Sequence, residues 1–166
     1  MSNPQTPIVN AGLLYVNGLG IAKTAAKVIS MATGASRDST NTNDIVLSST
    51  LSINGANVGA NGVDVAAIVA SSFYAVYIIG DSTSNESVAG LLSLSSSSPN
   101  LPGTYDMYRR VGWVLTDGSA NILQFWQYGS GQARMYYYDV GISELSGGSS
   151  TTFAAIDIAT SVPPLA

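Results

Sequence analysis

The sequence predicts an all-β protein: an antiparallel β-sandwich, jelly-roll-like, carried behind an extended N-terminal arm. Short runs rich in β-branched and aromatic residues recur along the chain, the composition that fits a pleated, half-buried surface. Clusters of Gly, Asn, Asp and Ser separate them at Gly34 to Asn43, Asn54-Gly55, Asn61-Gly62, Gly80 to Ser87, Asp117-Gly118 and Gly129 to Gly131, the punctuation of hairpins. No segment repeats at a fixed period, which disfavours a propeller or solenoid.

Taken in order, Pro4 and Pro7 fix φ and withhold amide donors, so residues 1–12 form an arm and residues 13–166 a single domain. Leu13 to Met31 has apolar positions compatible with either period, and Val28-Ile29 favours short strands over a helix. The strands that follow are DIVLSSTLSI (Asp44 to Ile53), FYAVYII (Phe73 to Ile79), SVAGLLSLS (Ser87 to Ser95), RVGWVLT (Arg110 to Thr116), NILQFWQY (Asn121 to Tyr128), ARMYYYDV (Ala133 to Val140) and TTFAAIDIA (Thr151 to Ala159). TDGSA predicts a hairpin, since Asp-Gly accepts positive φ and apolar runs flank it. Trp113 and Leu115 then share one face, as do Ile122, Gln124 and Trp126 on the returning strand.

Only 10% of the 166 residues are charged and the net charge is −4, so the surface is largely neutral hydroxyl and amide, a surface suited to packing against other proteins. With six basic residues in all, a phosphate-tracking surface is excluded, because each neutralised phosphate needs its own cation. Nucleic acid is therefore not an expected partner. No run reaches the length of a membrane helix and no secretory signal precedes the domain, so no membrane partner is expected either.

Histidine and cysteine are absent, which removes the usual nucleophile–base triads and the usual zinc sites. A carboxylate-pair glycosidase is disfavoured because Asp38, Asp44, Asp81 and Asp117 stand in turn contexts, where an aspartate bonds backbone amides. A Ser-Lys dyad would need Lys23 or Lys27, around which no motif stands. The run RDSTNTND (Arg37 to Asp44) offers oxygens at Asp38, Asn41, Asn43 and Asp44, but lacks EF-hand spacing and is read as a hydrogen-bonded turn. NGLG at Asn17 to Gly20 lacks the Gly-Lys of a phosphate loop. Neither a catalytic residue, a metal nor a cofactor is expected.

Two adjacent cations, Arg109 and Arg110, stand in the middle of an apolar strand. Adjacency sends them to opposite faces, and each must find a carboxylate or carbonyls, with Asp106, Asp117 and Asp139 as candidate carboxylates. The expectation is a structural clamp of Arg109, Arg110 and Asp117. Of the surrounding aromatics, Tyr105, Tyr108, Trp126, Tyr136 and Tyr138 are candidates for surface contact, although alternation assigns about half of the aromatics to the core.

The segments ASRDSTNTNDIVL (Ala35 to Leu47), NGVDVAAIVASSFYAVYII (Asn61 to Ile79), PNLPGTYDMYRRVGWVLTDGSANILQFWQYG (Pro99 to Gly129) and IDIATSVPP (Ile156 to Pro164) resemble a module of tailed-bacteriophage virion proteins, of head-decoration or tail-fibre type. The resemblance spans roughly residues 28 to 164, and YRRVGWVLTDGSANI is its specific part. It implies a non-enzymatic virion component working by multivalent docking, commonly as a homotrimer. The expected partners are copies of itself and other virion proteins such as the major capsid protein. The function expected first is capsid decoration or cementing; the alternative is the receptor- or carbohydrate-binding head of a tail fibre, with host glycans as ligand. Similar chains run on beyond the VPP segment into further strands, so a sheet edge completed by another subunit is also expected.

Overall fold

The computed structural model describes residues 15–131, 133–142, 148, 152, 155–156 and 158–164. Among them the secondary structure is all β. The strands are β1 (Val16–Gly18), β2 (Ile21–Ala25), β3 (Val28–Met31), β4 (Gly34–Arg37), β5 (Asp44–Leu47), β6 (Leu51–Asn54), β7 (Gly62–Val63), β8 (Phe73–Asp81), β9 (Ser84–Ser93), β10 (Met107–Leu115), β11 (Phe125–Ser130) and β12 (Ala133–Tyr138). The predicted arm at residues 1–12 lies outside the described residues.

One layer is the sheet β10-β8-β9-β7, antiparallel except where β7 runs parallel to β9. The opposing layer consists of two three-stranded sheets, β1-β4-β5 and β2-β3-β6, with the β11–β12 ribbon beside them. FYAVYII is apolar at every position because β8 is central and both of its faces are covered. On the inner face Tyr74, Val76 and Ile78 join Ile29, Met31, Ile45, Leu47 and Ile53 of the other layer in the main core. On the outer face Ala75, Tyr77, Ile79, Ala89 and Leu91 form a second cluster.

The layers approach closely where β9 carries a glycine. A Cβ on Gly90 would overlap the Ile53 side chain and stand 3.1 Å from Leu51 Cδ1, so any larger residue forces the layers apart.

The outer face of β8 and β9 is covered by the connection from Leu94 to Asp106. Leu101 and Tyr105 from that connection, with Tyr108 and Trp113 of β10, pack on the outer cluster. The serine run inside it is fixed by side chains: the Tyr77 hydroxyl donates to Ser95 O at 2.9 Å and Arg110 to Ser96 O at 2.5 Å.

Four expectations need correction. Gly34 to Asn43 is not one turn, because Gly34–Arg37 forms β4 and pairs with β5 before the loop begins at Asp38. Asp44 to Ile53 is two strands in different sheets: β5 pairs with β4, the polar Ser48–Thr50 step breaks the run, and β6 pairs with β3. The turn after β10 is present, but Ala120 rather than Gly118 takes positive φ, at 57°. Its Asp117 carboxylate accepts the Ser119 and Asn121 amides at 2.8 and 2.9 Å.

That turn does not close a long hairpin. Only Thr116 and Ile122 bridge before the chain leaves β10, and β11 pairs with β12 instead. Ile122 is therefore buried while Trp126 is exposed, so the two do not share a face. The fourth correction concerns Thr151 to Ala159, where the described residues, 152, 155–156 and 158–159, carry no strand.

Candidate functional site

β10 is an edge strand, and the candidate site is built along it. Between Arg110 and Gly112 the register against β8 shifts. The bulge places an extra residue, Val111, in the main core and brings Arg110 and Trp113 to the same, outer side, where the guanidinium lies over the indole at 5.1 Å.

Arg109 reaches the other side. Its Nε donates to Arg37 O at 2.6 Å, and its Nη2 donates to Asp38 O and, at 3.4 Å, to Asn41 Oδ1. Adjacent arginines thus pin two different loops, Arg109 the Asp38–Asn43 loop and Arg110 the serine run. The acceptors are neutral: three backbone carbonyls and the Asn41 side-chain amide oxygen. Asp117 is not a partner of either arginine, because its carboxylate is occupied by its own turn. The Asp106 carboxylate is turned toward Ser82, accepting its amide at 2.7 Å and its hydroxyl at 2.5 Å.

A third arginine, unremarked in the sequence, has more acceptors than either. Arg134 of β12 donates from Nε to Gly131 O at 3.0 Å and from Nη1 to Leu19 O at 2.8 Å, Val111 O at 3.2 Å and Gln127 Oε1 at 3.3 Å, while Nη2 donates to Gly18 O. Gln127 Oε1 also accepts the Ile21 amide at 3.0 Å, and Gln127 Nε2 donates to the Tyr136 hydroxyl at 2.7 Å. The Tyr136 hydroxyl in turn accepts the Trp113 amide at 3.3 Å. Val111 O and Trp113 N are polar groups of the β10 edge, so Arg134 and Tyr136 cap that edge with side chains in place of a further strand.

Burial raises the Tyr136 hydroxyl pKa against the opposing pull of its hydrogen bonds and of Arg134 and Arg110. Burial likewise lowers Arg109 and Arg134 from the usual arginine value. For Asp38 burial acts upward, but the Thr40 hydroxyl, the Asn43 and Thr42 amides and the Arg109 charge outweigh it and hold the carboxyl below its ordinary range. Those donors occupy both oxygens, at 2.6 Å from Thr40, 2.8 Å from Thr42 N and 3.2 Å from Asn43 N. Asp44 pairs with Arg37 at 3.2 Å and accepts the Tyr15 hydroxyl at 2.9 Å. The RDSTNTND run is thus a turn organised around Asp38, and among the described residues no acidic cluster is arranged to hold a metal ion.

The five candidate surface aromatics divide. Tyr105 and Tyr108 pack on the outer cluster, with Tyr108 edge-on to Tyr77. Tyr136 and Tyr138 pack against the main core. Only Trp126 is exposed, at 41%. Its neighbours on the outer face of the ribbon are Tyr128 at 57%, Met135 at 71% and Tyr137 at 62%, with Trp126 opposite Tyr137 and Tyr128 opposite Met135. The sequence signal was the alternation in ARMYYY: Arg134, Tyr136 and Tyr138 share the inner face, which leaves Met135 and Tyr137 outside.

No known protein family, curated protein or solved structure matches the chain. Among the described residues no helix is long and apolar enough to cross a membrane.

Proposed function

We propose that this chain is a non-catalytic structural subunit of a tailed-phage virion, a decoration or cement protein that docks on the shell through the outer face of the β11–β12 ribbon and associates with copies of itself as a trimer. The observation that carries the docking surface is the contiguous row Trp126, Tyr137, Tyr128 and Met135, exposed on one face of a ribbon whose other face is tied down. An exposed cluster of large apolar side chains is what an interface presents before its partner arrives.

Charge selects the partner's character. The strand residues of that outer face, Trp126, Tyr128, Ser130, Ala133, Met135 and Tyr137, are all uncharged, so the matching surface is neutral and apolar. Because Arg134 and Gln127 hold the ribbon against β1 and β2, little ordering entropy is lost on contact. The assignment to a virion rests on the YRRVGWVLTDGSANI resemblance, and the low-charge, hydroxyl-rich composition agrees with permanent packing.

The test is co-sedimentation of the purified chain with assembled shells and with unassembled shell subunits. Binding to shells that is lost in Trp126→Ser/Tyr137→Ser, with an unchanged melting temperature, supports the proposal. Binding that survives this double substitution, or retention by host glycans with none by shells, would contradict it.

A further inference from the structure

The opposite side of the ribbon faces a second feature. A cleft of about 460 Å³ opens along the β10 edge, and its charged lining is Arg109, Arg110 and Arg134 with no carboxylate. Its remaining polar lining includes Ser39, Ser96, Ser97 and the phenols Tyr77, Tyr108 and Tyr136, and Trp113 forms an aromatic wall. Half of the chain's six basic residues are therefore gathered in one depression of a protein whose net charge is −4.

Three guanidinium groups in one cleft repel one another, the Asp38 charge acts on Arg109 alone among them, and neutral carbonyls hold each group in place. Among the described residues the ion pair is Arg37–Asp44, and the carboxylate that acts on Arg109, that of Asp38, does not line the cleft and is hydrogen-bonded within its own loop. Arg110 has donors to spare: Nη1 is bonded to Ser96 O, and no protein acceptor for Nε or Nη2 stands among the described residues. Its plane is set by the Trp113 ring, which leaves a rigid, half-used guanidinium fork in an open cleft.

We infer that this cleft binds a sugar bearing a carboxylate, with Arg110 as the principal anion contact, Arg134 and Arg109 supplying the surrounding positive field, and Trp113 and the serine and tyrosine hydroxyls meeting the ring. The guanidinium fork gives two parallel donors to a carboxylate or a phosphate oxygen pair and not to a neutral hydroxyl, and the aromatic and hydroxyl lining beside it selects an anion carried on a sugar ring over free phosphate. Aromatic wall and hydroxyl lining together suit a hydroxylated ring, and the volume falls within the range of small-molecule sites, roughly 300 to 1,000 Å³. The site uses the inner face of β12 and is independent of the outward row Trp126, Tyr128, Met135 and Tyr137.

The experiment titrates the full chain with a glucuronic-acid oligosaccharide, a neutral glucose oligosaccharide of equal length, inorganic phosphate and a short single-stranded oligonucleotide, followed by calorimetry and by the Trp113 indole resonance. The expected result is saturable uronate binding that perturbs Trp113, with the glucose oligomer and phosphate weaker by about tenfold or more, the scale of a lost charge-assisted hydrogen bond. Arg110→Gln should weaken uronate by about tenfold. Arg110→Lys, which keeps the charge and loses the fork, tests the geometry separately and should fall between the two. The inference is overturned by glucose or phosphate binding as tightly as uronate, by the oligonucleotide binding more tightly, by the absence of saturation, or by Arg110→Gln of unchanged melting temperature binding as the parent does.

Discussion

Arg109 and Arg110, neighbours in β10, hold loops on opposite sides of the same strand: Arg109 Nε donates to Arg37 O at 2.6 Å and Arg110 Nη1 to Ser96 O at 2.5 Å. The edge strand is thereby the point from which the Asp38–Asn43 loop and the serine run are both positioned. Losing either arginine frees a loop and leaves carbonyls without their donor. Arg109→Ala should cost about 2 kcal/mol and lower the melting temperature by roughly 4 to 8 °C, with Arg110→Ala costing less because its carbonyl bond to Ser96 is joined only by an aromatic contact. Calorimetry of the two variants checks the order, and a larger loss for Arg110→Ala would contradict the assignment.

Arg134 and Gln127 attach the ribbon to β1, β2 and the β10 bulge. Arg134→Ala should destabilise by about 2 to 3 kcal/mol, and Arg134→Lys should recover little, since one ammonium cannot span acceptors spread over Gly18, Leu19 and Val111. Amide exchange should accelerate first in β11 and β12. Uniform acceleration across β8 and β9 instead would show that the arginine supports the whole sandwich rather than the ribbon.

Gly112 is a glycine for a steric reason. A Cβ there would overlap the Tyr136 hydroxyl and lie 3.1 Å from Ile21 Cδ1. Gly112→Ala should therefore destabilise the protein, and Tyr136→Phe, which removes the overlapping oxygen, should recover part of that loss in the double variant. Simple additivity in the double-mutant cycle would refute the contact.

The pH dependence has a definite sign at each end. Asp38 has its carboxyl pKa lowered, so its contribution is present above its unfolded value, about 3.9, and is lost as pH falls through the lower folded value. Tyr77 and Tyr138 are pushed by burial up to about 12; their stabilisation is complete below the unfolded value, about 10, and is lost as pH rises toward about 12. Melting temperature against pH, with Asp38→Asn and Tyr138→Phe, measures both. A flat acid limb that Asp38→Asn leaves unaltered would remove Asp38 from the account.

The strand content was legible because β-branched and aromatic runs such as FYAVYII have no other comfortable conformation, and the opposite directions of Arg109 and Arg110 followed from the two-residue period. Their partners were not legible. Acceptors at Arg37 O and Ser96 O are set by where two loops cross an edge strand, which no residue type announces, and a nearby aspartate was the natural but mistaken choice for Asp117. The break at Ser48–Thr50 hid inside an apolar run, and the departure of β11 from β10 is decided by tertiary packing of Ile122 and Phe125 in the core. Arg134 escaped notice because a lone arginine on a ribbon looks solvated until the inward face of that ribbon is known.

Docking through the outer face of the β11–β12 ribbon is tested most directly by electron microscopy of shells decorated with the chain. The predicted density has β11 and β12 against the shell, with Trp126, Tyr128, Met135 and Tyr137 covered in every copy. Subunits seated by another face, leaving that row in solvent, would contradict it.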